Sequence, residues 1–168
     1  MSTAVVVRDA SLDDMAVVQS IYAHYVSHGL STFEEIIPSI EEMCSRREVI
    51  VTRGLPYLVA ELDGAVVGYS YAGTYRPRVA YQYTVEDSVY VSPSAVGQGC
   101  GTELMRELLD ACRAAGLREV IAVIADTGDP ASVELHRRFG FTEAGRLVRV
   151  GVKHGRRVDT VLLQRSLA

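Results

Sequence analysis

Residues 81–115 restrict the possible folds of this chain more than any other stretch. From Tyr81 the chain predicts a strand: Val85, Val89 and Val91 alternate with Thr84, Glu86, Ser88 and Tyr90, the period of two that marks a pleated segment. Ser92-Pro93-Ser94 ends it, because Pro93 has no N–H to give a sheet ladder. Gly97-Gln98-Gly99-Cys100-Gly101-Thr102 follows, and Leu104, Met105, Leu108, Leu109 and Cys112 then recur at helical spacing up to Gly116, the expected C-cap. A strand, a glycine-rich turn and a helix therefore sit back to back.

Three alternating glycines at a helix entry have a chemical use. The first N–H groups of a helix lack internal partners and carry partial positive charge. Glycine lets an anion approach them with no Cβ in the way. The turn is a candidate pyrophosphate cradle; it also reads as a tight turn with no ligand. It lacks the Lys of a nucleotide-binding P-loop, and G-x-G-x-G is not the dinucleotide fingerprint. The window Val96-Gly97-Gln98-Gly99-Cys100-Gly101 resembles the acetyl-CoA motif of the GNAT acetyltransferase superfamily, Gln/Arg-x-x-Gly-x-Gly/Ala, with Val96 in place of the first residue.

At 168 residues, 48% hydrophobic and 23% charged, the chain is expected to form one domain over residues 1–168. A net charge of −4 argues against a nucleic-acid partner, which needs clustered positive charge. No apolar run approaches the roughly 20 residues of a membrane span, and Met1-Ser2-Thr3 before a Val run does not read as a secretory leader. Cys44, Cys100 and Cys112 are odd in number and lack metal-ligand spacing. The expectation is a cytoplasmic protein with reduced thiols and no metal.

Along the chain, Ala4–Arg8 predicts a first strand, and Ser11 with an acid three residues on opens a helix that Gly29 closes. Residues 31–38 are irregular, and a second helix runs from Ser39 to about Arg53. Tyr57–Leu62 and Ala65–Tyr75 form a hairpin about Asp63-Gly64. Glu119–Ala125 is a near-continuous apolar run, which fits a strand covered on both faces in a parallel pair. Asp129 caps a short helix with Pro130 at its first position. Phe141–Gly151 and Val158–Leu167 close the chain as two strands joined by the polar turn 153–157. The order β-α-α-β-β-β-α-β-α-β-β predicts a mixed α/β fold and not a doubly wound one.

Acetyl transfer to an amine needs a base for the amine proton, hydrogen-bond donors for the oxyanion, and help for the departing thiolate. Glu86, on the cradle strand, is the candidate base; it equally reads as a strand glutamate paired with an arginine. Asp87 points to the other face of a regular strand, so only one of the two can face a cleft. His136 is the candidate acid, or a packed helix histidine. Cys100 reads as a small apolar filler without a histidine partner.

Several scattered motifs sharpen this reading: Ser31-Thr32-Phe33-Glu34-Glu35, Arg76-Pro77-Arg78, Tyr81, Thr84-Val85-Glu86, Ser88-Val89-Tyr90-Val91, Leu135-His136 and Lys153-His154-Gly155. Together they resemble the phosphinothricin N-acetyltransferase family, whose relatives act on methionine sulfoximine and sulfone. The resemblance implies the GNAT fold, acetyl-CoA as co-substrate, a small-molecule amine as partner and a homodimer. It implies Glu86 as base and His136 in the slot of the thiolate acid. Val89, Tyr90 and Val91 would meet the pantetheine arm, and Gly97, Gln98, Gly99, Cys100, Gly101 and Thr102 the pyrophosphate. The family side chain at Asp129 touches the cofactor, although it is often Asn there, and an ionised Asp accepts but does not donate. Arg76 and Arg78 would face the acidic end of the substrate. Phe33, Glu35, Lys153 and His154 would line its pocket, the last two from a neighbouring subunit. Two other functions fit the same cradle: transfer to a protein N-terminus or polyamine, and a non-catalytic acetyl-CoA-binding module.

Overall fold

The computed structural model describes residues 4–168; Met1-Ser2-Thr3, which bear on the expected absence of a leader, lie outside the described residues. The elements are β1 (Val6–Asp9), α1 (Met15–Ser27), α2 (Ile40–Thr52), β2 (Tyr57–Leu62), β3 (Ala65–Thr74), β4 (Thr84–Val91), α3 (Cys100–Ala114), β5 (Glu119–Ala125), α4 (Ala131–Arg138), β6 (Thr142–Lys153) and β7 (Arg156–Ser166). Their order is the one the sequence predicts. One seven-stranded sheet runs β1-β2-β3-β4-β5-β7-β6. Every neighbouring pair is antiparallel except β4–β5. No described helix is long and apolar enough to cross a membrane, and all three cysteines are free.

The alternation of β4 splits the core in two. Val85, Val89 and Val91 face α3, whose stripe of Leu104, Met105, Leu108, Leu109 and Cys112 is buried to 3% exposure or less. Tyr90 faces the other side, where α1 and α2 cover β2–β4 with Met15, Val18, Ile21, Tyr22 and Met43. Burial of these faces drives the assembly, at roughly 25 cal/mol per Å² of apolar surface removed from water. The polar tie Arg8–Asp14 fixes the entry to α1: the guanidinium donates from two nitrogens to the buried carboxylate, at 2.7 and 2.9 Å.

Boundaries differ from the sequence expectation where local turns compete. Val79–Tyr81 forms a 3₁₀ turn, so β4 begins at Thr84 and not at Tyr81. Leu12–Asp14 is likewise a 3₁₀ turn before α1. Asp63 and Gly64 both adopt positive φ, the geometry of the predicted two-residue hairpin turn. The last hairpin is tighter than expected: only His154 and Gly155 form its turn, and Lys153 and Arg156 pair as strand residues. β5 is not covered throughout, since Val123 is 39% exposed on the sheet face opposite α3.

The feature that matters most for chemistry is a parting of strands. β4 and β5 pair only at Thr84–Glu119, Val85–Val120 and Glu86–Ile121. Beyond Glu86, β4 stays on β3 up to Val91, while β5 follows β7 to Ala125. A wedge-shaped gap opens between them, pointing toward the glycine turn.

Candidate active site

The glycine turn has the geometry of an anion site. Gly97 and Gly99 sit at φ 80° and 86°, a left-handed region that costs other residues roughly 1–2 kcal/mol. Gly99 caps α3, and the first helical bond runs from Glu103 N to Gly99 O at 3.1 Å. The N–H groups of Cys100, Gly101 and Thr102 precede that bond and have no carbonyl within the helix to meet. Gly101 has ordinary helical φ; a Cβ there would stand 3.5 Å from Leu135 and 3.7 Å from Val91, inside the space between α3, α4 and β4. Gln98 closes the turn by donating to Ser94 O at 3.0 Å. Cys100 is 1% exposed, and burial pushes its thiol pKa up, so it fills space as expected.

The wedge exposes a backbone edge. Ser92 N donates to Val67 O on β3 at 2.7 Å, and successive residues of a strand alternate their hydrogen-bonding sides. Val89 and Val91 therefore turn their N–H and C=O groups to the open side, whereas Tyr90 turns its own toward β3. The Tyr25 hydroxyl, reaching over from α1, donates to Val91 O. Tyr25 lies in the helix predicted between Ser11 and Gly29, and nothing local to that helix signals a partner 66 residues away.

Glu86 is the last β4 residue paired with β5, and its side chain is half-buried. Burial raises its pKa above the ordinary glutamate value, and the neighbouring Asp87 charge adds to this. Its side of the sheet is a tyrosine wall. Tyr57, Tyr69 and Tyr71 stack at ring separations of 5.1 to 6.3 Å, and Tyr90 stacks on Tyr69 at 5.3 Å. Arg46 of α2 holds both Glu34 oxygens, at 2.8 and 3.1 Å, and Tyr22 bonds the Thr32 hydroxyl. Arg46 and the tyrosines enclose a cavity of about 50 Å³. The same-face spacing of Tyr69 and Tyr71 was the available sequence signal for this wall.

The other face of β4 carries a pair that sequence reasoning missed. Asp87 does point away from Glu86, but it is not idle: its Oδ2 lies 2.8 Å from His136 Nε2. His136 is 5% exposed, and its Nδ1 meets Ser132 O at 2.7 Å. Burial opposes charging the ring, but the hydrogen bond and charge of Asp87, with the Ser132 carbonyl, outweigh it and raise the histidine pKa. The candidate acid thus has both ring nitrogens engaged, Nε2 by Asp87 and Nδ1 by the Ser132 carbonyl.

The remaining candidates divide into separate groups. Phe33 lies over Gly151, where a Cβ would come within 2.3 Å of its ring. Glu35 accepts from His154 N at 2.7 Å. Lys153 is a correction: it is fully buried, and its Nζ donates to the carbonyls of Tyr25 at 3.0 Å and Thr32 at 2.5 Å, so it lines no open pocket. Residues 31–38 are thus strapped to the β6–β7 hairpin. Arg76 and Arg78 are exposed in the β3–β4 connection, with Arg76 5.3 Å from the Tyr75 ring centre and 5.9 Å from that of Tyr81. This connection lies at the start of β4, while the hairpin lies beyond the end of β5. Asp129 accepts from Ala131 N at 3.0 Å just ahead of α4, and the cap position itself falls on Pro130, one residue later than the sequence predicts. Asp129 borders a recess of about 200 Å³ on the flank of α4 away from Leu135. That recess is larger than the tyrosine cavity, but its rim is tied up internally by Arg146 with Asp126 and Asp159. No group of His, Cys, Asp and Glu among the described residues could hold a metal.

Residues 21–141 match the Acetyltransferase (GNAT) family. The chain is 49% identical over 165 residues to a phosphinothricin N-acetyltransferase of Alcaligenes faecalis, covering 98% of this chain and 82% of that one. It is 35% identical over 161 residues to an L-methionine sulfoximine/L-methionine sulfone acetyltransferase of Salmonella typhimurium, covering 96% and 94%. A crystal structure of a phosphinothricin acetyltransferase from Sinorhizobium meliloti in complex with acetyl-CoA superposes with a TM-score of 0.94 at 44% identity, covering all of this chain and 90% of the other.

Proposed function

The chain belongs to the GNAT acetyltransferase family, and from that premise we propose that it moves the acetyl group of acetyl-CoA to the α-amine of a small amino-acid-like substrate of the phosphinothricin and methionine sulfoximine or sulfone class. The observation that carries the reading is the half-buried Glu86 at the point where β4 and β5 part. The residues present fit acetyl-CoA: the left-handed Gly97 and Gly99, the free N–H groups opening α3, and the N–H groups of Val89 and Val91 on the side of β4 that β5 leaves open all offer donors, while Tyr25 holds the Val91 carbonyl. Acetyl-CoA supplies an activated acetyl group and a thiol leaving group. The α3 terminus holds phosphate charge, and the β4 edge orients the amide-bearing arm. Glu86, its pKa raised by burial, takes the amine proton. Arg76 and Arg78 pair with the carboxylate or phosphinate of the amine substrate.

Two copies suit this arrangement. β6 is the edge strand of the sheet and exposes Val148, Val150 and Val152 at 54% or more, an apolar edge that monomers ordinarily protect. Pairing there would let one subunit's β6–β7 hairpin approach the other subunit's β3–β4 connection.

The test is a thiol-release assay over free amino acids and their sulfone, sulfoximine and phosphinate analogues, with Glu86→Gln alongside. Turnover should drop on the order of 10²-fold or more while calorimetric acetyl-CoA affinity holds. The native rate should rise with pH through the raised Glu86 pKa, since only the ionised carboxylate accepts the proton. Full activity of Glu86→Gln at every pH would remove the base. Activity on peptide N-termini alone would shift the substrate class, and acetyl-CoA binding without thiol release from any amine would leave a binding module.

A further inference from the structure

β4 presents two consecutive carboxylates, and the transfer reading uses only Glu86. Asp87 is the first β4 residue beyond the pairing with β5. Its side chain crosses to α4, the helix that follows β5, where it meets the buried His136 ring at 2.8 Å. One hydrogen bond thus joins the two walls of the wedge at its apex, on the sheet face opposite Glu86.

The donor and acceptor chemistry leaves few arrangements. A carbonyl only accepts, so Nδ1 carries a proton and donates it to Ser132 O. The Nε2–Oδ2 contact then holds one proton, either on the ring beside a carboxylate or on a carboxyl group beside a neutral ring. Asp87 Oδ1 is buried without a partner, and a lone buried carboxylate is costly unless a cation lies against it. The surroundings offer no other cation on the ring. Cys112 on α3 is a thiol whose pKa burial pushes up to about 12. Val120, Ala122 and Ile124 of β5 face this side without charge, and Phe141 stands edge-on to the ring at 4.9 Å. Glu134, Arg137 and Arg138 of α4 are exposed. The Arg165 guanidinium of β7 lies against Gly140, past the end of α4.

We propose that Asp87 is a positioning residue for the transfer reaction: it fixes the His136 ring at the apex of the wedge as a charged, doubly hydrogen-bonded group whose protonation is set by the carboxylate and not by solvent. This rests on the acetyl-transfer reading above. A ring held in this way gives the cleft a fixed positive group without having to release its proton, which reconciles its place in the site with its two engaged nitrogens. The raised pKa of His136 agrees with the charged form.

The experiment follows the ring nitrogens of His136 by ¹⁵N NMR from acid to alkaline pH, in native protein and in Asp87→Asn, with steady-state kinetics on both. Native His136 should stay doubly protonated to higher pH than an ordinary imidazole does, because the Asp87 carboxylate lies against it. In Asp87→Asn its midpoint should fall by about one pH unit or more. The kcat of that variant should fall on the order of tenfold, short of the roughly 10²–10⁴ of a whole acid–base group, with the KM for acetyl-CoA within about twofold. An unchanged midpoint, an unchanged kcat, or a loss of melting temperature with the midpoint unmoved would each overturn the proposal. If Asp87→Asn does not fold, the native titration decides: His136 losing its charge at or below the pH of an ordinary imidazole overturns it. If no amine is acetylated by the native protein, the transfer reading fails, while the ring titration still reports whether Asp87 sets the charge of His136.

Discussion

Lys153 and Asp87 show at the scale of single residues how a charge can be visible in sequence while its role is not. Lys153 sits in a polar run and invites a ligand, yet the fold buries it against two carbonyls of the loop and helix before it. Lys153→Met should lower the melting temperature, because each buried carbonyl left without a donor costs about 1–3 kcal/mol. Burial also lowers the pKa of this lysine. The unfolded chain therefore keeps its proton to higher pH than the folded one. Native stability should rise with pH through that interval, and the rise should be missing in Lys153→Met, a comparison that thermal melts across alkaline pH can make. Glu86 was readable because a strand alternates its faces. The partner of Asp87 was not, because His136 lies 49 residues on and nothing between them fixes where α4 lands.

Among the elements, the strand–turn–helix block was legible almost whole. The three glycines look alike in sequence, but the structure gives them different jobs. Gly99 needs its positive φ to start α3, whereas Gly101 has room for a methyl group in ordinary contact. Gly99→Ala should cost roughly 1–2 kcal/mol of stability through backbone strain and weaken acetyl-CoA binding as well. Gly101→Ala should leave stability near native, or slightly improved, and weaken acetyl-CoA binding alone. Denaturant melts and calorimetry on the two variants separate these outcomes; equal acetyl-CoA affinity in Gly101→Ala would count against the cradle. The last hairpin was placed less well. Its polar run of five residues hid a two-residue turn, because His154 tolerates φ 50° beside Gly155, and polar composition alone does not mark where pairing stops.

For the molecule as a whole, the open question is the apolar β6 edge. A lone subunit would present Val148, Val150 and Val152 to water, together with the unpaired backbone of an edge strand. Val148→Lys/Val152→Lys should shift the protein to monomers in light scattering coupled to size exclusion, with the melting temperature nearly unchanged for the isolated fold. If the hairpin of one subunit also completes the other subunit's pocket, the KM for the amine should rise in the same variant while acetyl-CoA affinity stays. A native protein already monomeric at assay concentration would remove both expectations.

The sequence by itself determined the order of elements, the glycine turn at the head of α3 and the face on which Glu86 lies. Each is written in spacing that repeats over a few residues: two for a strand, three to four for a helix, a glycine where φ must be positive. Only the tertiary structure decided that β4 and β5 part after Glu86, that Asp87 spans the gap to His136, and that Lys153 is an internal tie. Those outcomes depend on where segments far apart in the chain come to rest. Long-range packing sets that, and short-range periodicity does not encode it.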